Sequence, residues 1–174
     1  MARFNIALLP IDAAIRRAFV DLARSDFAAV ADGYLLGARA LPHITLCQFH
    51  ASTEQAAIDV FHAWEGKKDL DLQIENFRLR KGSPPHIGKL WAEFIVEQRQ
   101  ALLKQQKNCV QHVKQAGFEV FTSVSTYSPH LTLARIADTV ADIPSPAPPY
   151  RHRLAFRPTL GASTENGAFV KELS

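Results

Sequence analysis

Cysteines, long hydrophobic runs and blocks of like charge are all scarce in this chain of 174 residues. The two cysteines, Cys47 and Cys109, form neither a disulfide framework nor the repeated spacing of a zinc site. No apolar run approaches the length of a transmembrane helix, and the run at residues 6–9 is too short for a signal peptide. We therefore expect a cytoplasmic protein with reduced thiols and no membrane partner.

The bulk composition is that of an ordinary globular protein. Apolar residues make up 47% of the chain and charged residues 21%, and the formal net charge is +3. This mildly basic balance is compatible with a phosphate-bearing partner but does not require one. A chain of this length can bury a full hydrophobic core, and it predicts one domain over residues 1–174, or two small lobes that share a core.

Hydrophobic periodicity predicts a mixture of helices and strands. A helix capped by Asp12 is expected to run to about Ala31, a second to begin with the capping box of Ser52 and Gln55, and a third to cover about 97–116. Strands are expected at residues 4–9, 42–49, 70–79 (one long strand, or two broken at Asn76), 90–96, 118–121, from 129 onward, 151–160 and 167–173. The proline-rich segment 143–149 predicts an extended connection. This order predicts an α+β layout in two similar halves.

One short motif occurs twice. Pro42-His43-Ile44-Thr45-Leu46 returns in the second half as Pro129-His130-Leu131-Thr132-Leu133. Because proline lacks the N–H that a central ladder needs, each copy is expected to begin a strand. Alternate side chains share a face of a strand, so the histidine and threonine of each copy point one way and the apolar pair points to the core.

Two such strands side by side would bring two imidazoles and two hydroxyls to one groove. Imidazole titrates near neutral pH, so one of His43 and His130 can take a proton from an attacking hydroxyl while the other protonates a leaving oxygen. Thr45 and Thr132 can donate hydrogen bonds to the non-bridging oxygens of a phosphate, where charge sits in the transition state. This chemistry requires no metal and no cofactor.

Metal binding is the competing use of two histidines. Two imidazoles are too few for a closed zinc site, and a third protein ligand is normal even in open sites. Neither motif has Asp, Glu or Cys in a ligand pattern, although strict alternation places Cys47 on the face of His43 and Thr45. We therefore expect no metal.

The paired motif resembles the two-histidine (2H) phosphoesterase superfamily, most closely the RNA 2′,3′-cyclic phosphodiesterases, also called bacterial 2′-5′ RNA ligases. The segment Leu131-Thr132-Leu133-Ala134-Arg135 is close to the usual ending of the second motif in that family. The resemblance implies a bilobal fold in which antiparallel sheets, related by a pseudo-two-fold axis, surround a central groove with helices outside. It also implies that His43 and His130 are the catalytic pair and that Thr45 and Thr132 hold the phosphate.

The reaction implied by the resemblance is the opening of a 2′,3′-cyclic phosphate to a 2′-phosphate, at an RNA end or on a small cyclic nucleotide, by a monomeric enzyme. Some family members also join RNA ends reversibly through 2′-5′ linkages. The alternative is a non-catalytic module that binds RNA or a nucleotide in the same groove. Retention of both histidines and both threonines favours the enzyme.

Three further residues are candidate substrate contacts. Arg135 follows the second motif and could offset phosphate charge, although alternation places it off the His/Thr face. Tyr127 could stack on a base, and His86 belongs to a predicted loop near the groove. The alternative is a solvated or strand-end charge for Arg135, a core position for Tyr127 and a plain surface loop for His86, and the last two alternatives are the more common ones. Basic side chains in the middle of the chain could form an RNA-facing rim or a solvated face: Lys67, Lys68, Arg78, Arg80, Lys81 and Lys89.

Overall fold

The structure, a computed structural model, describes all residues from Met1 to Ser174 and contains three helices and nine strands. The helices are α1 (Ala13–Phe27), α2 (Glu54–Ala63) and α3 (Gln100–Gln115). The strands are β1 (Ala2–Pro10), β2 (Ala31–Leu35), β3 (Ile44–Ala51), β4 (Leu70–Leu72), β5 (Ile74–Lys81), β6 (Lys89–Val96), β7 (His130–Ala137), β8 (Leu154–Ser163) and β9 (Phe169–Glu172). None of the helices is long and apolar enough to cross a lipid bilayer. The expected α+β fold is confirmed.

The strands form two antiparallel sheets. The first has the order β3-β1-β8-β4, with β9 also paired to β8, and the second has the order β2-β7-β6-β5. Because β8 comes from the end of the chain and pairs with β1, the first sheet joins the two ends of the sequence. The motif strands β3 and β7 belong to different sheets, so they are not hydrogen-bonded neighbours. They meet instead across the groove between the sheets.

The helices cover the outer faces of the sheets. Asp12 caps α1 as expected, since its side chain accepts a hydrogen bond of 2.7 Å from the backbone N–H of Ala14. The apolar face of α1 packs on the second sheet, where the Phe27 ring stacks on Phe77 at a centroid distance of 5.9 Å. Full burial of such a side chain contributes about 2–3 kcal/mol. Helices α2 and α3 pack against the first sheet.

Several expected element boundaries are wrong. Helix α1 ends at Phe27 rather than near Ala31, and the residues that follow form β2, which was not expected. Thr53, not Ser52, caps α2, because its hydroxyl accepts a hydrogen bond from the N–H of Ala56 at 3.1 Å. The break between β4 and β5 falls at Gln73 rather than Asn76. Residues 118–121 make only an isolated bridge to β3, whereas 143–149 is irregular as expected.

Each motif strand contains a β-bulge at the same motif position. Leu46 is the extra residue of β3, since its neighbours Thr45 and Cys47 oppose consecutive residues of β1. Leu133 is the extra residue of β7, since Thr132 and Ala134 likewise oppose consecutive residues of β6. A bulge advances the alternation of side chains by one residue. The two motif strands are therefore equivalent in geometry as well as in sequence.

The bulges correct two expectations about which side chains face the groove. Cys47 does not share a face with His43: its side chain is buried in the core, and Gln48 takes the groove face instead. Arg135 does not lie off the His/Thr face, because beyond Leu133 it stands opposite Trp91, on the face that includes Thr132. Strict alternation failed at both strands for the same reason.

Candidate active site

Four motif side chains line one cavity between the two sheets. The cavity has a volume of about 270 Å³ and is lined by His43, Thr45, His130 and Thr132, among others. Thr45 lies in the edge strand β3 and His43 directly before that strand, whereas His130 and Thr132 both lie in β7. The structure thus brings together side chains that lie far apart in the sequence.

Both histidines are oriented in the same way. Nδ1 of His43 lies 2.8 Å from the carbonyl oxygen of Leu41, and Nδ1 of His130 lies 2.7 Å from that of Ser128. A carbonyl oxygen can only accept, so each Nδ1 carries a hydrogen and donates it. Each neutral ring therefore has Nε2 as the nitrogen that can accept a proton. The motif proline stands between donor and acceptor in both copies.

His43 is the more buried of the two histidines, with only 7% of its surface exposed. Burial lowers the pKa of His43 to about 4, the positive charge of His130 adds to the shift, and the backbone of Leu41 and of Gly167 opposes it. The ring of Phe169 lies 5.5 Å from the imidazole and closes the site on that side. His43 is therefore neutral at pH 7.

His130 lies in a different environment. Its side chain is 31% exposed, and its Nε2 is 3.7 Å from a carboxylate oxygen of Glu93, a fully buried residue. Glu93 accepts hydrogen bonds from Nε of Arg78 at 2.7 Å and from Nε of Arg80 at 3.1 and 3.2 Å. A carboxylate buried without such partners would be very costly. The two histidines thus share a geometry but differ in their charged surroundings.

Thr45 is held by two side chains that leave its hydroxyl hydrogen free. The Asn5 amide donates to Oγ1 of Thr45 at 3.0 Å, so the threonine can still donate its own O–H to a ligand. The Tyr127 hydroxyl donates to the carbonyl oxygen of Thr45 at 2.8 Å. Burial raises the pKa of Tyr127. Tyr127, a candidate substrate contact, thus uses its hydroxyl to hold β3 in place.

A second cavity of about 500 Å³ adjoins the first. Thr45, Arg80 and His130 line both cavities, whereas His43 and Thr132 line only the first. Arg78 also lines the second cavity, and it donates a hydrogen bond to the Ser128 hydroxyl at 3.1 Å. The candidate basic rim is thus found at Arg78 and Arg80.

Two lysines of that candidate rim are engaged elsewhere. Lys67 donates to the carbonyl oxygens of Phe61 and His62 at 2.9 and 3.0 Å, at the end of α2. Lys89 pairs with Asp32. Their charges therefore serve local structure.

His86 lines the first cavity, whereas Arg135 lies behind it. The Arg135 guanidinium donates to Nδ1 of His86 at 3.2 Å and to the carbonyl oxygen of Asp32 at 2.7 Å, and it lies 5.8 Å from the centre of the Trp91 ring. Trp91 and His86 line the cavity. Arg135 therefore supports the cavity wall rather than forming it.

Sequence reasoning missed four residues around the site. Asn5 and Glu93 are polar residues inside otherwise apolar strands, and buried polar groups need partners, so the sequence did contain a signal for them. Tyr34 and Gln48 had no signal, because β2 and the bulge at Leu46 were not expected. The structure contains no cluster of three or more His, Cys, Asp or Glu side chains able to hold a metal ion.

Compared by sequence, the chain matches no protein-family model and no curated protein. Compared by structure, it is similar to several crystal structures. E. coli LigT complexed with 3′-AMP aligns with a TM-score of 0.62 and 20% identity, over 94% of this chain and 88% of LigT. LigT complexed with phosphate aligns with a TM-score of 0.60 and 16% identity, over 99% and 94% of the two chains.

A further structure, that of a phosphoesterase, aligns with a TM-score of 0.58 and 19% identity, over 94% of this chain and 90% of the other. The three alignments each cover nearly the whole of both chains, so the similarity extends to both sheets. The chain therefore has the fold of the LigT and phosphoesterase structures, which confirms the fold implied by its resemblance to the 2H phosphoesterases.

Proposed function

We propose that this chain is a metal-independent phosphodiesterase that hydrolyses 2′,3′-cyclic phosphates, at RNA ends or on small cyclic nucleotides. The observation that carries the proposal is the convergence of two imidazoles and two threonine hydroxyls in one cavity, with Nε2 of each ring available for proton transfer. The similarity to LigT structures that contain 3′-AMP and phosphate supports a nucleotide phosphate as the ligand.

The surroundings of the two histidines support distinct roles. His43, neutral at pH 7, takes a proton at Nε2 from a water molecule as the water oxygen attacks phosphorus. His130, whose Nε2 lies 3.7 Å from a carboxylate oxygen of Glu93, donates its Nε2 proton to the 3′ oxygen as the bond from that oxygen to phosphorus breaks. The product is a 2′-phosphate with a free 3′ hydroxyl, and one proton has moved from water to the leaving oxygen.

The phosphate is held by hydroxyls and by one cation. Thr45 and Thr132 donate hydrogen bonds to the non-bridging oxygens, whose charge increases in the transition state. Arg80 offsets that charge from the junction of the two cavities, where Glu93 holds its Nε. No step in this sequence requires a metal ion or a cofactor.

The same site supports attacking groups other than water. If the 5′ hydroxyl of a second RNA end replaced water as the attacking group, it would give its proton to His43, form a bond to phosphorus and displace the 3′ oxygen. The two ends would then be joined through a 2′-5′ linkage. The second cavity, which adjoins the first at Thr45 and His130, has room for further nucleotides of an RNA substrate. We propose 2′-5′ joining as a secondary activity of the same site. Action as a single-domain cytoplasmic monomer over residues 1–174 stays a prediction.

The test is turnover of 2′,3′-cyclic nucleotides in the presence of EDTA. Each general acid or base contributes about 10²–10⁴ in rate, so His43→Ala and His130→Ala should each lose that much. Because the two groups act together, the double variant should be little worse than either single variant. His152→Ala, at an exposed position outside the cavity, is the matched control and should retain activity.

The outcomes separate the two hypotheses. Product formation by the wild type and by the control, but not by the two cavity variants, supports the enzyme. Tight binding of nucleotides by the wild type without any product would instead identify a binding module. Loss of turnover with EDTA would contradict the metal-independent mechanism.

A further inference from the structure

The hydroxyl of Tyr34 is buried and has no hydrogen-bond partner in the protein. Tyr34 lies in β2 with 5% of its surface exposed, and its side chain lines the cavity that contains His43 and His130. Burial raises the pKa of Tyr34, so the side chain stays a neutral phenol. Most buried hydroxyls are paired, and an unpaired one on a residue that lines a cavity points to a ligand that pairs with it.

Tyr34 belongs to an aromatic cluster next to the phosphate position. Its ring meets Trp91 edge-on at a centroid distance of 5.6 Å, and Trp91 meets the His86 ring edge-on at 5.2 Å. Trp91 lies two residues along β6 from Glu93, which stands opposite Thr132. Two residues of a strand span about 7 Å, so the cluster lies about one nucleoside away from the threonine that would hold the phosphate.

His86 lines the same cavity, and its contact with Arg135 determines which ring nitrogen can donate a hydrogen bond. A guanidinium can only donate, so Nδ1 of His86 accepts the 3.2 Å hydrogen bond from Arg135. The neutral ring must then carry its hydrogen on Nε2. Burial, with the charges of Arg135 and Arg80, lowers the pKa of His86 and favours this neutral form. Arg135 thus selects the tautomer of His86.

We propose that the Tyr34 hydroxyl and the Nε2–H group of His86 bind the polar edge of a nucleobase, the base of the nucleotide whose phosphate lies between His43 and His130. This inference rests on the proposed function, since it assumes that a nucleotide occupies the cavity. It assigns base recognition to β2 and to the loop that contains His86. Trp91 lies between these two groups and supplies apolar surface to the ring of the base.

Tyr34→Phe tests the proposal, because it removes the hydroxyl and keeps the ring against Trp91. Without ligand, the variant should melt about 2–4 °C higher than the wild type, since an unpaired buried group has been removed. Its affinity for a 2′-nucleotide, measured by calorimetry, should fall about tenfold, since the hydrogen bond to the base is lost. A purely structural role would not produce these two opposite changes.

Tyr127→Phe is the matched control for stability. Its hydroxyl is buried too, but it donates to the carbonyl oxygen of Thr45. Removing it leaves that carbonyl unpaired, so this variant should melt at a lower temperature than the wild type. A lower melting temperature for Tyr34→Phe as well would contradict the proposal.

Ligands without a base locate the contact. Ribose 2-phosphate and inorganic phosphate should bind Tyr34→Phe and the wild type equally. If Tyr34→Phe bound ribose 2-phosphate and the nucleotide equally weakly, the hydroxyl would contact the sugar or the phosphate rather than the base. If its affinity for the nucleotide were unchanged, the hydroxyl would make no contact with the ligand. Because binding is measured without turnover, a protein that binds as expected but does not hydrolyse contradicts only the proposed function. Hydrolysis by the wild type, together with an unchanged nucleotide affinity in Tyr34→Phe, contradicts only this inference.

Discussion

The carboxylate of Glu93 lies 3.7 Å from Nε2 of His130, and the register of the sheets gives His43 no equivalent. Glu93 stands opposite Thr132 in the second sheet, whereas Ala7 stands opposite Thr45 in the first. The repeated motif is therefore symmetric in its backbone and asymmetric in charge. In the proposed mechanism, this asymmetry distinguishes the histidine that begins the reaction as a base from the one that begins it as an acid.

Glu93→Gln should lower both stability and activity. The change keeps the shape of the side chain but removes the charge that pairs with Arg78 and Arg80. Both arginine side chains are about one third exposed (30% and 39%), so water replaces part of the lost interaction. We expect a loss of about 1–3 kcal/mol in the free energy of unfolding, measured with urea. The catalytic efficiency kcat/KM should fall about tenfold or more, as Arg80 loses its position.

A double-mutant cycle with Arg80→Gln separates positioning from a general effect on folding. If Glu93 acts in part through Arg80, the double variant should lose less activity than the two single losses predict together, and a loss beyond that of Arg80→Gln reflects the contact of Glu93 with His130. Glu75→Gln, at an exposed position of β5, is the matched control and should leave both quantities unchanged. Additive losses of activity would show that Glu93 does not act through Arg80.

Acid should destabilise the protein through His43. The pKa of His43 is about 4 in the folded protein, against an ordinary value of 6.5. Between these values the unfolded chain binds a proton that the native protein does not, so stability is highest above pH 6.5 and is lost as the pH falls toward 4. The loss attributable to His43 amounts to about 3 kcal/mol. His43→Gln should remove this dependence, as shown by urea unfolding at several pH values, and parallel curves for the two proteins would refute the prediction.

The pH dependence of kcat/KM should be bell-shaped, with an acid limb at an unusually low pH. As the base, His43 must be neutral in the free enzyme, so activity should hold from neutral pH down to about 5 and decline near pH 4. His130→Ala removes the general acid of the proposed mechanism and should abolish the alkaline limb. An acid limb near pH 6.5 would be incompatible with His43 as the base in its buried site.

The contribution of Thr45 to catalysis should depend on its hydroxyl rather than on its methyl group. Thr45→Val keeps the shape of the side chain but removes the donor, and one such donor to transition-state charge contributes about 10²–10³ in kcat. Thr45→Ser keeps the donor and the acceptor for Asn5, so its kcat should stay within about tenfold of the wild type. Steady-state kinetics with a cyclic nucleotide provide the comparison. Equal losses in the two variants would point to packing as the role of Thr45.

The features that the sequence predicted well are local. The paired motif depends on five adjacent residues, and the cap at Asp12 depends on the backbone of the next two. Strand β2 was not expected because its five residues include Asp32 and Gly33, types that are depleted in strands. The paired motif, the helices and most of the strands could thus be predicted, because each depends on a short segment of the sequence.

The features that were missed depend on pairing between distant strands. A bulge is a property of two strands in register, so the positions of Cys47 and Arg135 could not follow from alternation within one strand. The contact between Glu93 and Arg80 likewise depends on the register of β5 against β6. Strand register therefore limits what the sequence alone predicts about the site.

The wall behind His43 comes from the last part of the chain. Phe169 lies against the imidazole, its carbonyl oxygen accepts a hydrogen bond of 2.8 Å from the N–H of Leu41, and β8 occupies the middle of the first sheet. A ribosome that has already synthesised both histidines has not yet added these segments. We therefore expect a truncation before β8 to abolish the proposed activity even though it spares every motif residue.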